Sequence, residues 1–142
     1  MINEEVRGST YHEWLSMARF SEEYEERYGD RLKAVVVFGK LAEDKPLPPR
    51  ADVDVLAIIE GYTGPAVVKY PIIGSLPHRP RYLLVRILTP EEFQARAERG
   101  DPFLIKVIEA YTFGYEFRFG YVDEVLELAW ANRTYTEAEL LS

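Results

Sequence analysis

The sequence predicts an α/β (α+β) fold, a small mixed β-sheet with helices on one face, and three observations carry that reading. Three runs, Leu32–Phe38, Val53–Ile59 and Tyr82–Leu88, are apolar and rich in β-branched residues, the pattern of strands buried on at least one face. Strong helix starts, above all Thr89-Pro90-Glu91-Glu92, stand outside those runs. Strands and helices alternate irregularly, which favours a mixed sheet over a regular parallel one. The 142 residues suit one domain, 1–142, with no internal repeat or linker.

In chain order, Thr10 and Glu13 have the spacing of a capping box and predict a helix from Tyr11 to Tyr28, stopped by Gly29. Trp14, Leu15 and Ala18, with Met17, form its expected apolar stripe. Glu22, Glu23, Glu25 and Glu26 read as its solvated face and His12 as a surface residue. The strand Leu32–Phe38 ends at Gly39. Pro46, Pro48 and Pro49 keep Lys40–Ala51 from forming a long helix, although a short turn after Gly39 would aim backbone N–H groups at an anion. After Val53–Ile59, Val67–Tyr70 reads as an edge strand limited by Pro71. His78 has no second histidine near it, which argues against a metal role.

Beyond Tyr82–Leu88, one helix is expected to run to about Arg99, with Gly100 as its stop. Asp101-Pro102 starts another, with Phe103, Leu104, Val107 and Ile108 facing the core. Aromatic residues then occupy 111, 113, 115, 117, 119 and 121, a period of two that predicts one strand face lined with rings. Such a row suits a core or subunit interface better than base stacking, and a homo-oligomer is one expectation. Val122–Leu141 is acidic and expected to be helical at least through Ala131.

Composition narrows the function classes. The chain has no cysteine, which excludes disulfides and thiolate metal sites. No apolar run approaches the roughly 18 residues of a membrane span, so no membrane role and a cytoplasmic location are expected. Two Asn and one Gln among many charges lean towards a thermophile. The net charge of −7 is uneven: residues 31–86 hold nine Lys/Arg against five Asp/Glu, while both flanking thirds are acidic. The one basic segment suits a phosphate-rich ligand, and the acidic remainder opposes a broad nucleic-acid footprint.

The chemistry concentrates in VVVFGKLAEDKPLPPRADVDVLAIIE, Val35 to Glu60. Asp52 and Asp54 stand two apart and so share a strand face, with Cα atoms roughly 6.6 Å apart, a spacing from which both carboxylates can reach a hard divalent cation. The order hydrophobic-Gly-x, a loop, then Asp-hydrophobic-Asp-hydrophobic resembles the nucleotidyltransferase superfamily of the DNA polymerase beta-like fold. It is most similar to the minimal nucleotidyltransferases, and the later TPEEF and Gly-Asp-Pro-Phe-Leu segments resemble archaeal members. The resemblance implies Mg²⁺ at Asp52 and Asp54, ATP or GTP as substrate, and nucleotide contact at Gly39. It departs from the family at two places. Lys40 stands where the family has Ser, and no acid occurs between Gly61 and Pro90, where a third carboxylate is due. Lys40 is then expected either to clamp a phosphate oxygen or to leave the strand into solvent. Arg86, the one charged residue in Tyr82–Leu88, is expected either to pair with an aspartate or phosphate or to face solvent.

Two functions follow. The first is Mg²⁺-dependent transfer of a nucleoside monophosphate from NTP to an acceptor hydroxyl, weakened by the missing acid, with Glu60 or a partner's acid as substitute base. The second is a degenerate nucleotide-binding member that works through a small helical HEPN-type protein, as in toxin–antitoxin pairs of this family.

Overall fold

The computed structural model describes residues 2–38, 52–74, 80–110, 113–116 and 121–133. Gly39, Lys40 and His78, and the loop Lys40–Ala51, lie outside the described residues. Helix α1 (Ile2–Tyr28) is followed by a single 3-10 turn, Gly29–Arg31. Strands β1 (Leu32–Phe38), β2 (Val53–Ile59), β3 (Val67–Pro71) and β4 (Tyr82–Leu88) come next. Helices α2 (Pro90–Glu98) and α3 (Pro102–Ala110), strand β5 (Phe113–Glu116) and helix α4 (Tyr121–Ala131) complete the order. The five strands form one mixed sheet in the order β3-β4-β2-β1-β5. Among the described residues only β2 and β4 pair in parallel, in the sheet's interior; the other neighbours are antiparallel.

Helices cover both faces of this sheet, a correction to the one-faced expectation. On one face Met17, Phe20 and Tyr24 of α1 pack on Val35, Val37, Val55, Ala57 and Val85. On the other, Phe93 and Ala97 of α2, Leu104 and Val107 of α3, and Val122 and Leu126 of α4 pack on Val36, Leu56 and Ile58. The sign lay in β1 and β2 themselves: a nearly unbroken apolar run is what a strand buried on both sides requires.

Helix α1 begins well before Tyr11, so Thr10 lies inside it and the capping-box reading of Thr10 and Glu13 does not hold. Glu13 lies in the buried stripe instead, 1% exposed, in an ion pair with Arg81. The buried positions are thus 13, 16, 17, 20, 21 and 24, while Leu15 and Ala18 sit half-buried at the margin. Ser16 ties the same helix to the β3–β4 connection: its hydroxyl donates to the His12 carbonyl (2.7 Å) and accepts from Ile73 N–H (2.9 Å).

At α2 the capping box is as expected. Thr89 accepts from Glu92 N–H (3.1 Å), and the Glu92 carboxylate accepts from Thr89 N–H (3.2 Å). Asp101 caps α3 by accepting from Phe103 N–H at 2.8 Å. Between the two helices, Gly100 has φ +61°, and a Cβ there would land on the Asn132 carbonyl that follows α4. Only glycine therefore lets the α2–α3 turn and the end of α4 approach so closely. The aromatic row is not one strand: Tyr121 opens α4 and meets Phe93 edge-on, with ring centroids 6.0 Å apart. The rings at 111, 117 and 119 lie outside the described residues.

Candidate functional site

The β1–β2 hairpin sets the position of both aspartates. Phe38, the last residue of β1, pairs with Asp54, the second residue of β2, so the site sits where the chain leaves β1 and re-enters the sheet. Asp52 lies just before β2 and is exposed; Asp54 is half-buried. Asp52 Oδ1 accepts from Tyr82 N–H at 3.0 Å, which fixes its carboxylate at the start of β4. One carboxylate is therefore anchored to the neighbouring strand, while its second oxygen is not used by that bond.

Asp54 projects from the face that carries Leu56 and Ile58, the side covered by α2, α3 and α4. Burial pushes its carboxyl above the usual carboxylate range. The Arg86 guanidinium opposes that rise, the Asp52 charge adds to it, and Lys106 of α3 opposes it. Asp52 and Asp54 are thus close enough to repel each other, with Arg86 of β4 and Lys106 of α3 as the positive charges that act on Asp54.

Arg86 is exposed and forms no ion pair with either aspartate; the shortest-range pairing expected of it is absent. Its guanidinium lies 4.9 Å from the Phe103 ring centroid instead, with Arg96 at 6.0 Å from the same ring. Phe103 also meets Phe38 edge-on at 5.7 Å, so one ring joins the base of the hairpin to the guanidinium. Arg96 and Arg99 are drawn aside by Asp101, at 3.8 and 3.6 Å. Glu60, the substitute base considered above, is not near the pair. It follows the far end of β2 and binds Lys33 at 3.2 Å, about 20 Å along the strand from Asp54.

The parallel register decides which β4 residue faces the aspartates. Asp54 is level with Leu84, and Arg86 is level with Leu56. Leu84 therefore holds the place beside Asp54 where a third carboxylate would complete the set, and among the described residues no three acids or histidines gather into a metal-binding group. Lys106 and Leu84 were not found by sequence reasoning. Lys106 comes from a helix fifty residues downstream, and Leu84 is indistinguishable from its apolar neighbours until the strands are paired.

Mg²⁺ suits what is present. It commonly takes one or two carboxylates and fills its remaining positions with water and substrate phosphate. A half-buried carboxylate raised by burial and by a second carboxylate gains from a cation held between the two. Neither a scan of the chain against protein-family models nor a search of the curated proteins finds a match.

Proposed function

We propose that the chain is a nucleotidyltransferase-like protein that binds a nucleoside triphosphate with Mg²⁺ at Asp52 and Asp54 and transfers the nucleoside monophosphate slowly to an acceptor hydroxyl. The observation that carries the proposal is the pairing of an anchored, exposed Asp52 with a half-buried, mutually repelling Asp54 at the mouth of the β1–β2 hairpin. Asp52 and Asp54 would hold the cation, which would supply neutralisation of the negative charge that develops during transfer. Asp52, held by Tyr82 N–H, keeps its carboxylate oriented with little entropy left to lose. Asp54, in its drier setting, has the stronger demand for a positive charge. Arg86, stacked on Phe103, and Lys106 offer positive charge to the triphosphate as fork and point donors respectively. Gly39 and Lys40 belong to the same reading through the resemblance alone. In the transfer, the acceptor oxygen bonds to the α-phosphorus, the bond to the β-phosphate bridging oxygen breaks, and pyrophosphate leaves. The acceptor proton goes to solvent, because Leu84 offers no base beside Asp54. A nucleotide-consuming reaction of this kind belongs in the cytoplasm.

Leu84 also favours a second reading, binding without transfer, with the chain acting through a partner such as the HEPN-type helical protein of the resemblance. Loss of a general base typically costs about 10²–10⁴ in rate. A transfer assay with α-labelled ATP and GTP separates the two readings. Slow, Mg²⁺-dependent labelling that disappears in Asp52→Asn supports the enzyme, whereas tight Mg²⁺–nucleotide binding with no labelling supports the binding module.

A further inference from the structure

A cavity of ≈ 510 Å³ opens at the pole of the molecule opposite the aspartates, between the end of α1 and the β2–β3 connection. It lies about 20 Å along β2 from Asp54 and on the α1 side of the sheet rather than the α3 side. Its volume is within the roughly 300–1,000 Å³ usual for small-molecule sites. Tyr24, Tyr28 and Tyr62 contribute rings, and Arg27 and Arg31 contribute guanidiniums. The rings form a continuous run, Tyr24 to Tyr28 at 5.5 Å and Tyr28 to Tyr62 at 6.3 Å between centroids.

The arginines are set in place around those rings. Arg31 donates through Nε to the Glu60 carbonyl (2.8 Å) and through Nη2 to the Gly61 carbonyl (3.1 Å), so its fork is fixed by backbone and Nη1 remains outside those two bonds. Its Cζ lies 5.5 Å from the Tyr28 centroid, and that of Arg27 lies 5.4 Å from the same centroid. Among the described residues neither guanidinium is in an ion pair and no acid lines the cavity. Tyr62 is also held: its hydroxyl donates to the Pro65 carbonyl at 2.7 Å, and Gly64 leaves the space its ring end occupies. Burial keeps the Tyr24 and Tyr62 phenols above the ordinary tyrosine range, so they stay neutral and do not repel an anion.

Two guanidiniums without a carboxylate beside them select an anion such as a phosphate, to which Arg31 offers the Nη1 left outside its two backbone bonds and Arg27 its own guanidinium. Adjacent rings select a flat π surface. We propose that this cavity is a binding site for a small molecule carrying both a phosphate and a planar ring, of nucleoside monophosphate chemistry, separate from the aspartate site. The phosphate meets Arg27 and Arg31, and the base lies along Tyr28 and Tyr62. No carboxylate pair is involved, so this binding needs no Mg²⁺.

The test uses the full chain and AMP as the probe, with adenosine and inorganic phosphate as its two halves, followed by NMR and calorimetry in EDTA. AMP is expected to bind without Mg²⁺, to perturb the Tyr24, Tyr28 and Tyr62 resonances, and to bind at least tenfold more tightly than adenosine or phosphate. Arg27→Gln, at an exposed position, should weaken AMP about tenfold and leave adenosine unchanged. Gly64→Ala, which displaces the Tyr62 ring without altering charge, should weaken both. Asp52→Asn should leave AMP binding intact, which keeps this site distinct from the proposed nucleotidyltransferase site whether or not that one functions. Absence of AMP binding in EDTA at millimolar concentration, or binding unaffected by both Arg27→Gln and Gly64→Ala, would overturn the proposal.

Discussion

Leu84 of β4 stands level with Asp54 of β2 across the one parallel pairing in the sheet, while Arg86 stands level with Leu56, one step along the same face. Leu84, not Arg86, is therefore the position where an added acid joins the aspartate pair. Leu84→Asp is expected to raise Mg²⁺ affinity at least tenfold, equivalent to about 1.4 kcal/mol. Arg86→Asp should give a smaller gain, because its carboxylate starts a residue pair farther along the ladder. Calorimetric Mg²⁺ titration of both variants decides this, and an equal or larger gain from Arg86→Asp would contradict the assigned register.

The strands were legible in the sequence because apolar β-branched runs leave few alternatives to a buried strand. The capping box of α2 and the Asp101 cap of α3 were legible because they are local, made by residues two or three apart. Glu13 was misread for the opposite reason: its buried role depends on Arg81, sixty-eight residues away, and a charged residue inside the stripe hid the helix's true phase. The two aspartates were singled out by their spacing together with the family resemblance. Their surroundings could not be, since Tyr82, Leu84 and Lys106 come into place only through the parallel pairing and the packing of α3.

The Glu13–Arg81 pair joins α1 to the strand side of the sheet, with Glu13 almost wholly buried. Removing one partner of such a pair typically costs about 3–5 kcal/mol, because the other charge stays buried. Arg81→Met is expected to destabilise on that scale. The double variant Glu13→Leu/Arg81→Met should recover most of the loss, as apolar replacements of a buried pair often do. Urea unfolding of Arg81→Met, Glu13→Leu and the double variant measures the coupling, and additive losses would show that the pair does not act as a unit.

Tyr70 gives the fold an alkaline limit. Burial pushes its phenol up to about 12, with a hydrogen bond to Glu23 and that residue's charge adding to the rise. The native state thus favours the protonated phenol. That contribution is complete below the unfolded tyrosine range near 10 and is lost as pH climbs towards 12. Thermal stability should therefore fall between about pH 10 and 12, and Tyr70→Phe should flatten part of the slope while keeping the edge contact with Phe20. An unchanged slope in Tyr70→Phe would assign the loss to Tyr24 and Tyr62, whose phenols are raised in the same sense.

Asp54 costs the fold stability at neutral pH. Its raised carboxyl means that the charged form is disfavoured by folding at neutral pH, so Asp54→Asn should raise the melting temperature by roughly 1–3 °C. A fall in melting temperature would mean that Asp54 is held by contacts other than the burial and repulsion described.

The most direct test of the nucleotidyltransferase-like reading is a calorimetric titration of ATP into the native chain and into Asp54→Asn, each with Mg²⁺ and with EDTA. The Mg²⁺-dependent part of the binding should be saturable in the native chain and absent in Asp54→Asn, while any Mg²⁺-independent part at the tyrosine-lined cavity remains in both. Mg²⁺-dependent binding of equal strength in the two proteins, or none in the native chain, would contradict the assignment of Asp52 and Asp54 to a metal–nucleotide site.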